Sequence, residues 1–533
     1  MSQITSTDAA AEHPPREIHV LKAGSLGLIG ILLLAFSSAA PLVGSLGNIP
    51  LAISMGNGWG APAGFIIVTA VLVCFAVGYV AMARKLTAAG GFYNFISHGL
   101  GRPLGLAAGW SALLAYICVE VALFGALGYF GRNAFLKFFN IDISWVWIAL
   151  GALLIITAIT FFGIEFSARI LGVLFLLEIS ILTIVDASVF IKGGAHGITA
   201  APLAPSAAFG GAAAGIGIFF AFWSWLGFEV VPNYAEESKD PARLVGLATY
   251  AAVIGLGIIY TVTAWAGVLA FGTGKAVDAA TKLGGNFYIE IAGKYVGTVA
   301  QDAMSWLVLT SSFACCLAFH QTVSRYLFAM GRESAVLPSR LGRTHVRYGS
   351  PHVAAITQGF IAGLVIVIYV VFYHLSSSVQ HFSAQFDRKN PFEISAYVVV
   401  FSWLAIATTF WILVNQFICS FAVIKYFRQP ENRSDFHAWK TFVAPLIGAA
   451  GIGAALVLLF VNLVTLGGDV IWVRLIPWFC ALWFLLGLGL AFWVKARKPD
   501  TYEHLGRIIA SGAITNASHV REEGRPNEFT DTL

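Results

Sequence analysis

Long apolar stretches recur along the whole chain, and they constrain its fold more than any other feature. A helix that crosses about 30 Å of hydrocarbon needs about 20 apolar residues, and about twelve stretches reach that length. They lie at 24–54, 61–83, 103–130, 145–164, 168–191, 209–235, 244–271, 297–329, 352–373, 394–426, 443–465 and 470–494. Only 11% of the residues are charged, against about 25% in a soluble domain. The sequence therefore predicts an all-α membrane protein.

The polar ends frame this apolar region. We expect a tail at 1–22, a transmembrane domain at 23–498 and a second tail at 499–533. Lysine and arginine in the short loops are about twice as frequent on the side of the two tails, which predicts cytoplasmic termini in the plasma or inner membrane. The apolar run at 26–36, followed by small residues, resembles a signal peptide. We expect no cleavage, because its polar lead is long and the apolar pattern resumes directly after Pro41.

Several function classes are disfavoured by what the chain does not contain. It has no basic stripe with interleaved aromatic residues, which argues against nucleic-acid binding. All six cysteines lie inside apolar runs, so neither a disulfide framework nor a metal site is indicated. The histidines are scattered and no HExxH or CxxC motif occurs. We therefore expect no enzyme, no resident metal and no cofactor.

Two of the predicted spans are interrupted near their middle. The first contains the segment SSAAP at 37–41, and the sixth weakens at Ser224, Gly227 and Pro232. Proline removes a backbone donor and disfavours helix, and lipid cannot satisfy the backbone groups that a break exposes. Two corresponding broken helices indicate an inverted-repeat transporter with its site between them. Continuous helices with proline kinks are the alternative, and 44–47 (GSLG) is an alternative place for the first break.

Three motifs in order carry a family resemblance. They are WSWLGFE at 223–229 with EESKDP at 236–241, AGGFY at 89–93 with GRPLG at 101–105 and GW at 109–110, and SRYLFA at 324–329 with GRE at 331–333 and LP at 337–338. With these motifs the chain resembles a permease of the amino acid–polyamine–organocation superfamily over about residues 20–495. It departs from the family at the first break, where many relatives carry Gly-x-Gly.

The resemblance implies a fold and a function. The fold would be two five-helix repeats related by a pseudo-two-fold axis, with helices one and six broken and two further helices at the periphery. The function would be secondary active transport of amino acids or related amines such as polyamines, by alternating access. The alternatives are a sodium-coupled symporter of the same fold and, less favoured, a channel or receptor. The particular solute, the direction and the oligomeric state are left open.

The two breaks predict opposite poles of a substrate site. Amides that begin the second half of a broken helix attract an anion, and we assign this role to Ser37, Ser38, Ala39 and Ala40. Free carbonyls before a break favour an ammonium group, and we assign that role to Phe222, Trp223 and Ser224. Leu226 and Gly227 complete the predicted site. A zwitterionic amino acid would match both poles, and the Trp223 ring could cap or stack on it.

Intramembrane acids add candidates for binding and coupling. A carboxylate at mid-bilayer usually faces a cavity, forms a pair or carries a proton. We expect Glu120 to contact a cationic group of the substrate, with a hydrogen-bonded core acid as the alternative. Glu178 and Glu229 are predicted to serve coupling or structural hydrogen bonding rather than to contact the substrate, and Asp186 is predicted to be solvated near the outer interface. Thr310 and Ser311 could hold Na⁺, although helical hydroxyls often bond to their own helix. Proton coupling is the preferred expectation.

Overall fold

The computed structural model describes residues 21–86, 90–211 and 213–505. Most of the predicted tails, residues 1–20 and 506–533, and Ala89 of the second motif lie outside the described residues. Within the described part, eleven helices are long and apolar enough to cross a membrane, and a further apolar helix, Trp145–Phe161, has 17 residues. The architecture is all-α, and the prediction of about twelve spans is confirmed.

The spans are numbered here in chain order. Span one is Leu28–Gly56, two Gly58–Ala83, three Arg102–Phe139, four Trp145–Phe161, five Ile164–Ile191, six Ala214–Glu237, seven Pro241–Phe271, eight Thr298–Glu333, nine His352–Leu375, ten Pro391–Tyr426, eleven Ala438–Val461 and twelve Ile471–Arg497. Shorter helices connect them: Gly91–Leu100, Ala276–Leu283, Phe287–Tyr295, Ser377–Ala384, Leu463–Gly467 and Pro499–His504. The connecting helices were not predicted, because each is too short to cross the membrane.

Ionic and polar contacts show which ends of the spans share a face of the bundle. At the start of the described chain Lys22 pairs with Glu165, at the beginning of span five, with a distance of 2.8 Å between the charged atoms. Near its end, the carbonyl of Glu503 accepts a hydrogen bond from Arg102, at the beginning of span three. We call this side the N-terminal face. Lys137 and Asp302 form an ion pair on the opposite face. Residues 21–505, apart from their short undescribed gaps, thus begin and end on the same face.

The lipid-facing perimeter explains the high apolar content. Spans nine and twelve expose large apolar side chains, among them Phe360, Trp478, Leu485 and Phe492. Span three, in contrast, is mostly buried and packs against spans eight, ten and twelve. A soluble protein could not leave such a surface in water, whereas hydrocarbon is a suitable solvent for it.

Span one is broken at a single residue. The helix Leu28–Ala39 ends at Ala40, which takes a left-handed backbone conformation with φ 43°. The chain then resumes as the helix Pro41–Leu51, where proline at the first helical position has no amide left unsatisfied. The residues 44–47, considered above as an alternative break, lie inside this second helix. The predicted break at 37–41 is confirmed.

Span six is broken over three residues. The helix Ala214–Ser224 ends, residues 225–227 form a turn, and the chain continues as the 3₁₀-helix Phe228–Glu237. Gly227 has φ 112°, a conformation that glycine adopts readily and other residues avoid. Both spans are therefore interrupted, and the alternative of continuous kinked helices does not apply.

Candidate functional site

The two breaks are in direct contact at the centre of the bundle. A Cβ atom placed on Gly227 would lie 2.8 Å from the carbonyl carbon, the carbonyl oxygen and the Cβ atom of Ser38. No ordinary side chain fits in that space, since non-bonded carbon atoms separate by about 3.5–4.0 Å. The sequence therefore needs glycine here for two reasons, the positive φ and the close approach of the other broken span.

A cavity of about 40 Å³ lies beside this contact. Its walls come from both breaks and from spans three, eight and ten. The lining residues are Ser38, Ala39, Ala40, Val43, Gly44, Asn48, Val119, Leu123, Trp223, Ser224, Leu226, Cys315, Phe319, Phe401 and Ala405. None of these residues carries a charge. The space would hold a few water molecules but no amino acid, given that about 10–15 Å³ of such space is enough for one water, so the site is contracted in this conformation.

Six of the predicted binding residues line this cavity, and four do not. The six are Ser38, Ala39, Ala40, Trp223, Ser224 and Leu226. Ser37 and Phe222 are buried beside it, Gly227 forms the contact between the breaks, and Glu120 lies behind the wall. The structure thus brings together residues about 180 positions apart in the chain, as two facing breaks require.

The backbone groups freed at the first break have partners from other spans. The carbonyl of Ser38 accepts a hydrogen bond from the Cys315 thiol at 3.0 Å, and that of Ala39 accepts one from the Tyr260 hydroxyl at 3.0 Å. The amide of Leu42 donates to the Glu178 carboxylate, with 3.4 Å between N and Oε2. Glu178 therefore sits at the positive end of the second half of span one.

Ser311 and Thr310 take different positions around this carboxylate. The Ser311 hydroxyl lies near Glu178, but neither its Oγ nor Glu178 Oε1 has a hydrogen-bond partner in the described residues. The Thr310 hydroxyl instead donates to the carbonyl of Leu307 in its own helix, at 3.0 Å. Of the two hydroxyls considered as sodium ligands, Ser311 is close to the first break, whereas Thr310 forms the local bond named above as the alternative.

The second break carries its own carboxylate. Glu229 Oε2 accepts a hydrogen bond from the amide of Gly227 at 3.0 Å, and its other oxygen accepts one from the Tyr116 hydroxyl at 3.2 Å. The Tyr79 hydroxyl also donates to the backbone carbonyl of Glu229. Glu229 therefore stabilises the positive end of the second half of span six, as Glu178 does for span one.

Glu120 lies outside the cavity, in contrast to the expectation of substrate contact. Its side chain is 0% exposed, and its two oxygens bond to His320 Nδ1 at 2.6 Å and to Gln358 Nε2 at 2.7 Å. Neighbouring helical residues point about 100° apart, so Val119 faces the cavity while Glu120 faces spans eight and nine. The arrangement matches the alternative of a hydrogen-bonded core acid.

Asp186 also differs from its predicted surroundings. It is only 6% exposed, and its Oδ2 accepts a hydrogen bond from the Thr263 hydroxyl at 2.7 Å. The expectation of a solvated side chain was wrong, because span seven packs over this part of span five. Position along a span does not reveal which helix covers a residue.

Stacked aromatic rings separate the small cavity from a larger one. Trp223 lies 5.4 Å from Phe401, which stacks on Tyr397 at 5.3 Å between ring centroids. Beyond these rings a cavity of about 230 Å³ extends toward the face opposite the N-terminal face. Phe401 and Tyr397 belong to a π-helical segment of span ten, Ala396–Phe401, and such segments are frequent at functional sites.

The N-terminal face is closed by buried ion pairs. Arg325 in span eight forms two hydrogen bonds with Glu237, at 2.7 and 2.8 Å, and Arg332 pairs with Glu236 at 2.6 Å. The amide of Leu26 donates to the carbonyl of Glu237 at 2.9 Å, which ties the start of span one to the end of span six. The site is therefore shut off from this face.

Several lining residues were not predicted from the sequence. They are Val43, Gly44, Asn48, Val119, Leu123, Cys315, Phe319, Phe401 and Ala405. Asn48 had a usable signal, since an amide side chain inside an apolar stretch needs a polar partner. Phe401 and Val119 had none, because apolar residues at lipid, core and cavity positions are indistinguishable in a membrane span.

Comparisons with known proteins agree with this architecture. The profile of the amino acid permease family matches residues 26–486. The branched-chain amino acid permease BcaP of Bacillus subtilis is 29% identical over 56% of this chain, which spans 65% of that permease, just under two thirds of its length. The low-affinity putrescine importer PlaP of Escherichia coli is 24% identical over 73% of this chain and 77% of its own.

A solved structure shows the same fold. A crystallised manganese transporter of Eremococcus coleocola superimposes with a TM-score of 0.55, covering 89% of this chain and 95% of its own, at 13% identity. At that identity the likeness concerns the fold alone. The broken spans, the cavity between them and the family profile over 461 residues (26 to 486) lead to one assignment. The chain belongs to the amino acid permease family, within the amino acid–polyamine–organocation superfamily.

Proposed function

We propose that this protein is a secondary active transporter of neutral amino acids with apolar side chains, working by alternating access. The observation that carries the proposal is the contact between two broken spans beside an uncharged cavity whose lining combines polar groups with apolar side chains. Backbone groups from both breaks supply the polar contacts, and Val43, Val119, Leu123 and Phe319 supply an apolar surface for the substrate side chain.

The poles of the site suit a zwitterion. Glu178 occupies the amide of Leu42, and the amide of Val43 follows it in the first turn of the helix Pro41–Leu51. This amide, at the positive end of a half-helix, would bind the substrate carboxylate. The carbonyl end of the helix Ala214–Ser224 would favour the ammonium group.

A polyamine is the second candidate, because a putrescine importer is among the relatives. Putrescine has no carboxylate for the first pole and carries two ammonium groups. A second ammonium in this cavity would find no carboxylate among the lining residues, and an unpaired buried charge is costly. The lining therefore favours a neutral amino acid.

The transport cycle would alternate the two barriers described above. The ion pairs of Arg325 and Arg332 close the N-terminal face, and the rings of Trp223 and Phe401 cover the cavity from the opposite side. Since the basic loops predict that the N-terminal face lies in the cytoplasm, substrate would enter from outside when the rings separate. Release would require the ion pairs to break.

Glu178 is the proposed proton-binding residue. It bonds to the first break directly, so its protonation would weaken that hydrogen bond and alter the relation between spans one and five. Sodium coupling is the alternative, with Ser311 and carbonyls of the first break as ligands. The Thr310 hydroxyl donates within its own helix, and its oxygen lone pairs would remain available to a sodium ion.

Transport by the purified protein in proteoliposomes tests the proposal. Radiolabelled leucine, isoleucine, valine, arginine and putrescine are offered under an imposed proton gradient, an imposed sodium gradient or neither. We expect saturable uptake of the neutral amino acids, driven by the proton gradient. Preferred uptake of putrescine would overturn the substrate class, and uptake that requires Na⁺ and ignores the proton gradient would overturn the coupling. A current that does not saturate with solute would indicate a channel.

A further inference from the structure

A hydrogen bond between side chains joins the two broken spans at the cavity wall. Asn48, in the second half of span one, donates from Nδ2 to Ser224 Oγ, at the end of the first half of span six, at 3.0 Å. Both residues line the cavity, and Asn48 is 5% exposed. Asn48 is thus a polar side chain at the site that neither the motifs nor the break pattern identified.

The orientation of the Asn48 amide follows from the bonds that Ser224 makes. The Ser224 hydroxyl donates its one proton to the carbonyl of Phe220, at 2.9 Å. Toward Asn48, Ser224 can therefore only accept, and the group that faces it must be the amide nitrogen. The hydrogen bonds therefore assign the two ends of the amide and leave the carbonyl oxygen Oδ1 on the side away from Ser224.

Asn48 Oδ1 is a free acceptor beside the cavity. Within the described residues, the Asn48 side chain bonds to Ser224 through its nitrogen, and its oxygen accepts no hydrogen bond. The Ser38 hydroxyl and the Cys315 thiol donate their protons to the carbonyls of Leu34 and Ser38, and their oxygen and sulfur are weaker acceptors than an amide oxygen. With no carboxylate in the lining, Oδ1 is the strongest side-chain acceptor that a ligand ammonium could reach there.

We propose that Asn48 is a substrate-binding residue that determines specificity, and that Ser224 is its positioning residue. Asn48 Oδ1 accepts a hydrogen bond from the ammonium group of the substrate, and Ser224 holds the amide so that oxygen rather than nitrogen faces the cavity. An amide oxygen accepts a hydrogen bond from one ammonium group and adds no negative charge. A negative charge at this position would favour dications such as putrescine. The proposal rests on the proposed transport of neutral amino acids and names a residue that sets this preference.

Two substitutions of Asn48 test the binding role. Asn48→Leu keeps the approximate shape and removes the acceptor, so we expect KM for leucine to rise about 10-fold or more, the usual effect of losing a hydrogen bond to a charged group. Asn48→Asp keeps an acceptor and adds a charge, so we expect leucine uptake to continue while the uptake ratio of putrescine to leucine rises about 10-fold. Both are measured as initial rates in proteoliposomes, normalised to the amount of folded protein.

A double-mutant cycle tests the positioning role. Ser224→Ala frees the amide to turn its nitrogen toward the cavity, and we expect KM for leucine to rise about fivefold in the protein with Asn48. In the Asn48→Asp protein the same change should raise KM less than twofold, because a carboxylate has two oxygens and no wrong orientation. A purely structural role of Ser224 would instead give equal effects in both backgrounds.

The outcomes separate this inference from the function on which it rests. If the unmodified protein takes up no neutral amino acid, the proposed function fails. If it does so while Asn48→Leu leaves KM unchanged, or Asn48→Asp leaves the putrescine ratio unchanged, the role of Asn48 is overturned. Should Asn48→Leu fail to fold, the Asn48→Asp ratio decides alone. Equal effects of Ser224→Ala in both backgrounds overturn the positioning role.

Discussion

At each of the two helix breaks a carboxylate accepts a hydrogen bond from a freed backbone amide, but the two carboxylates come from different parts of the chain. In span six the carboxylate that accepts from the freed amide is Glu229, two residues from Gly227, and Tyr116 holds it in place. In span one the corresponding carboxylate is Glu178, which belongs to span five. The break in span six is thus stabilised largely from within, whereas the break in span one depends on a neighbouring helix.

The different origins of the two carboxylates bear on where an ion or proton could be coupled to helix movement. A change at Glu229 alters a turn that remains anchored by Gly227 and Tyr79. A change at Glu178 alters the relation between two separate spans, one of which carries a pole of the substrate site. In the proposed mechanism, ion binding shifts one helix relative to another, and the bond between Glu178 and Leu42 joins two such helices.

The largest effect is expected where the two breaks touch. Gly227→Ala places a methyl group 2.8 Å from Ser38 and requires a left-handed conformation that disfavours alanine. We expect uptake to fall about 100-fold, the equivalent of about 3 kcal/mol, in protein that still elutes as a single species. Uptake within twofold of the unmodified protein would show that the contact between the breaks is dispensable.

The second largest effect is expected at Trp223, which lies beside the break in span six and covers the cavity from that side. Trp223→Ala removes the ring that packs on Phe401, so we expect leucine uptake to fall about 30-fold, with Trp223→Phe recovering most of it because an aromatic ring is kept. The comparison is made with initial rates in proteoliposomes. Equal rates for the alanine and phenylalanine variants would contradict a covering role for the ring.

Paired substitutions of the two carboxylates test the comparison directly. Glu178→Gln cannot be ionised, so we expect it to abolish the stimulation by a proton gradient, reducing gradient-driven uptake about 10-fold while exchange of internal for external leucine continues. Glu229→Gln keeps an acceptor for Gly227, so we expect the gradient to remain effective. The opposite result, with the gradient lost only in Glu229→Gln, would move the coupling role to the second break.

Glu120 provides a control outside both breaks. Because its oxygens bond to His320 and Gln358 behind the cavity wall, we expect Glu120→Gln to leave KM for leucine within about twofold while lowering the thermal stability by a few degrees, since it weakens a buried network. Thermal unfolding in detergent and uptake measure the two effects. A large rise in KM with unchanged stability would return Glu120 to the site.

The smallest effect is expected at the hinge of the first break. Ala40 takes the left-handed conformation without glycine, and Ala40→Gly would relieve that strain at the cost of a more flexible unfolded chain. The relief of backbone strain and the greater entropy of the unfolded chain offset each other. We therefore expect uptake within twofold of the unmodified protein and a change in melting temperature below about 2 °C. A 10-fold loss of uptake would mean that the methyl group itself contributes to the site.

The sequence by itself determined the membrane environment, the number of spans, both break positions and the family. These properties arise from local chemistry. The length of an apolar stretch sets each span, Pro41 starts a new helix after the first break, and Gly227 adopts the positive φ of the second. Only the tertiary structure decided which polar groups meet. Glu120 faces away from the cavity that the adjacent Val119 lines, and Asn48 bonds to Ser224. Both results depend on how each helix is rotated about its axis. That rotation is set by the neighbouring helices, and a uniformly apolar span does not encode it locally.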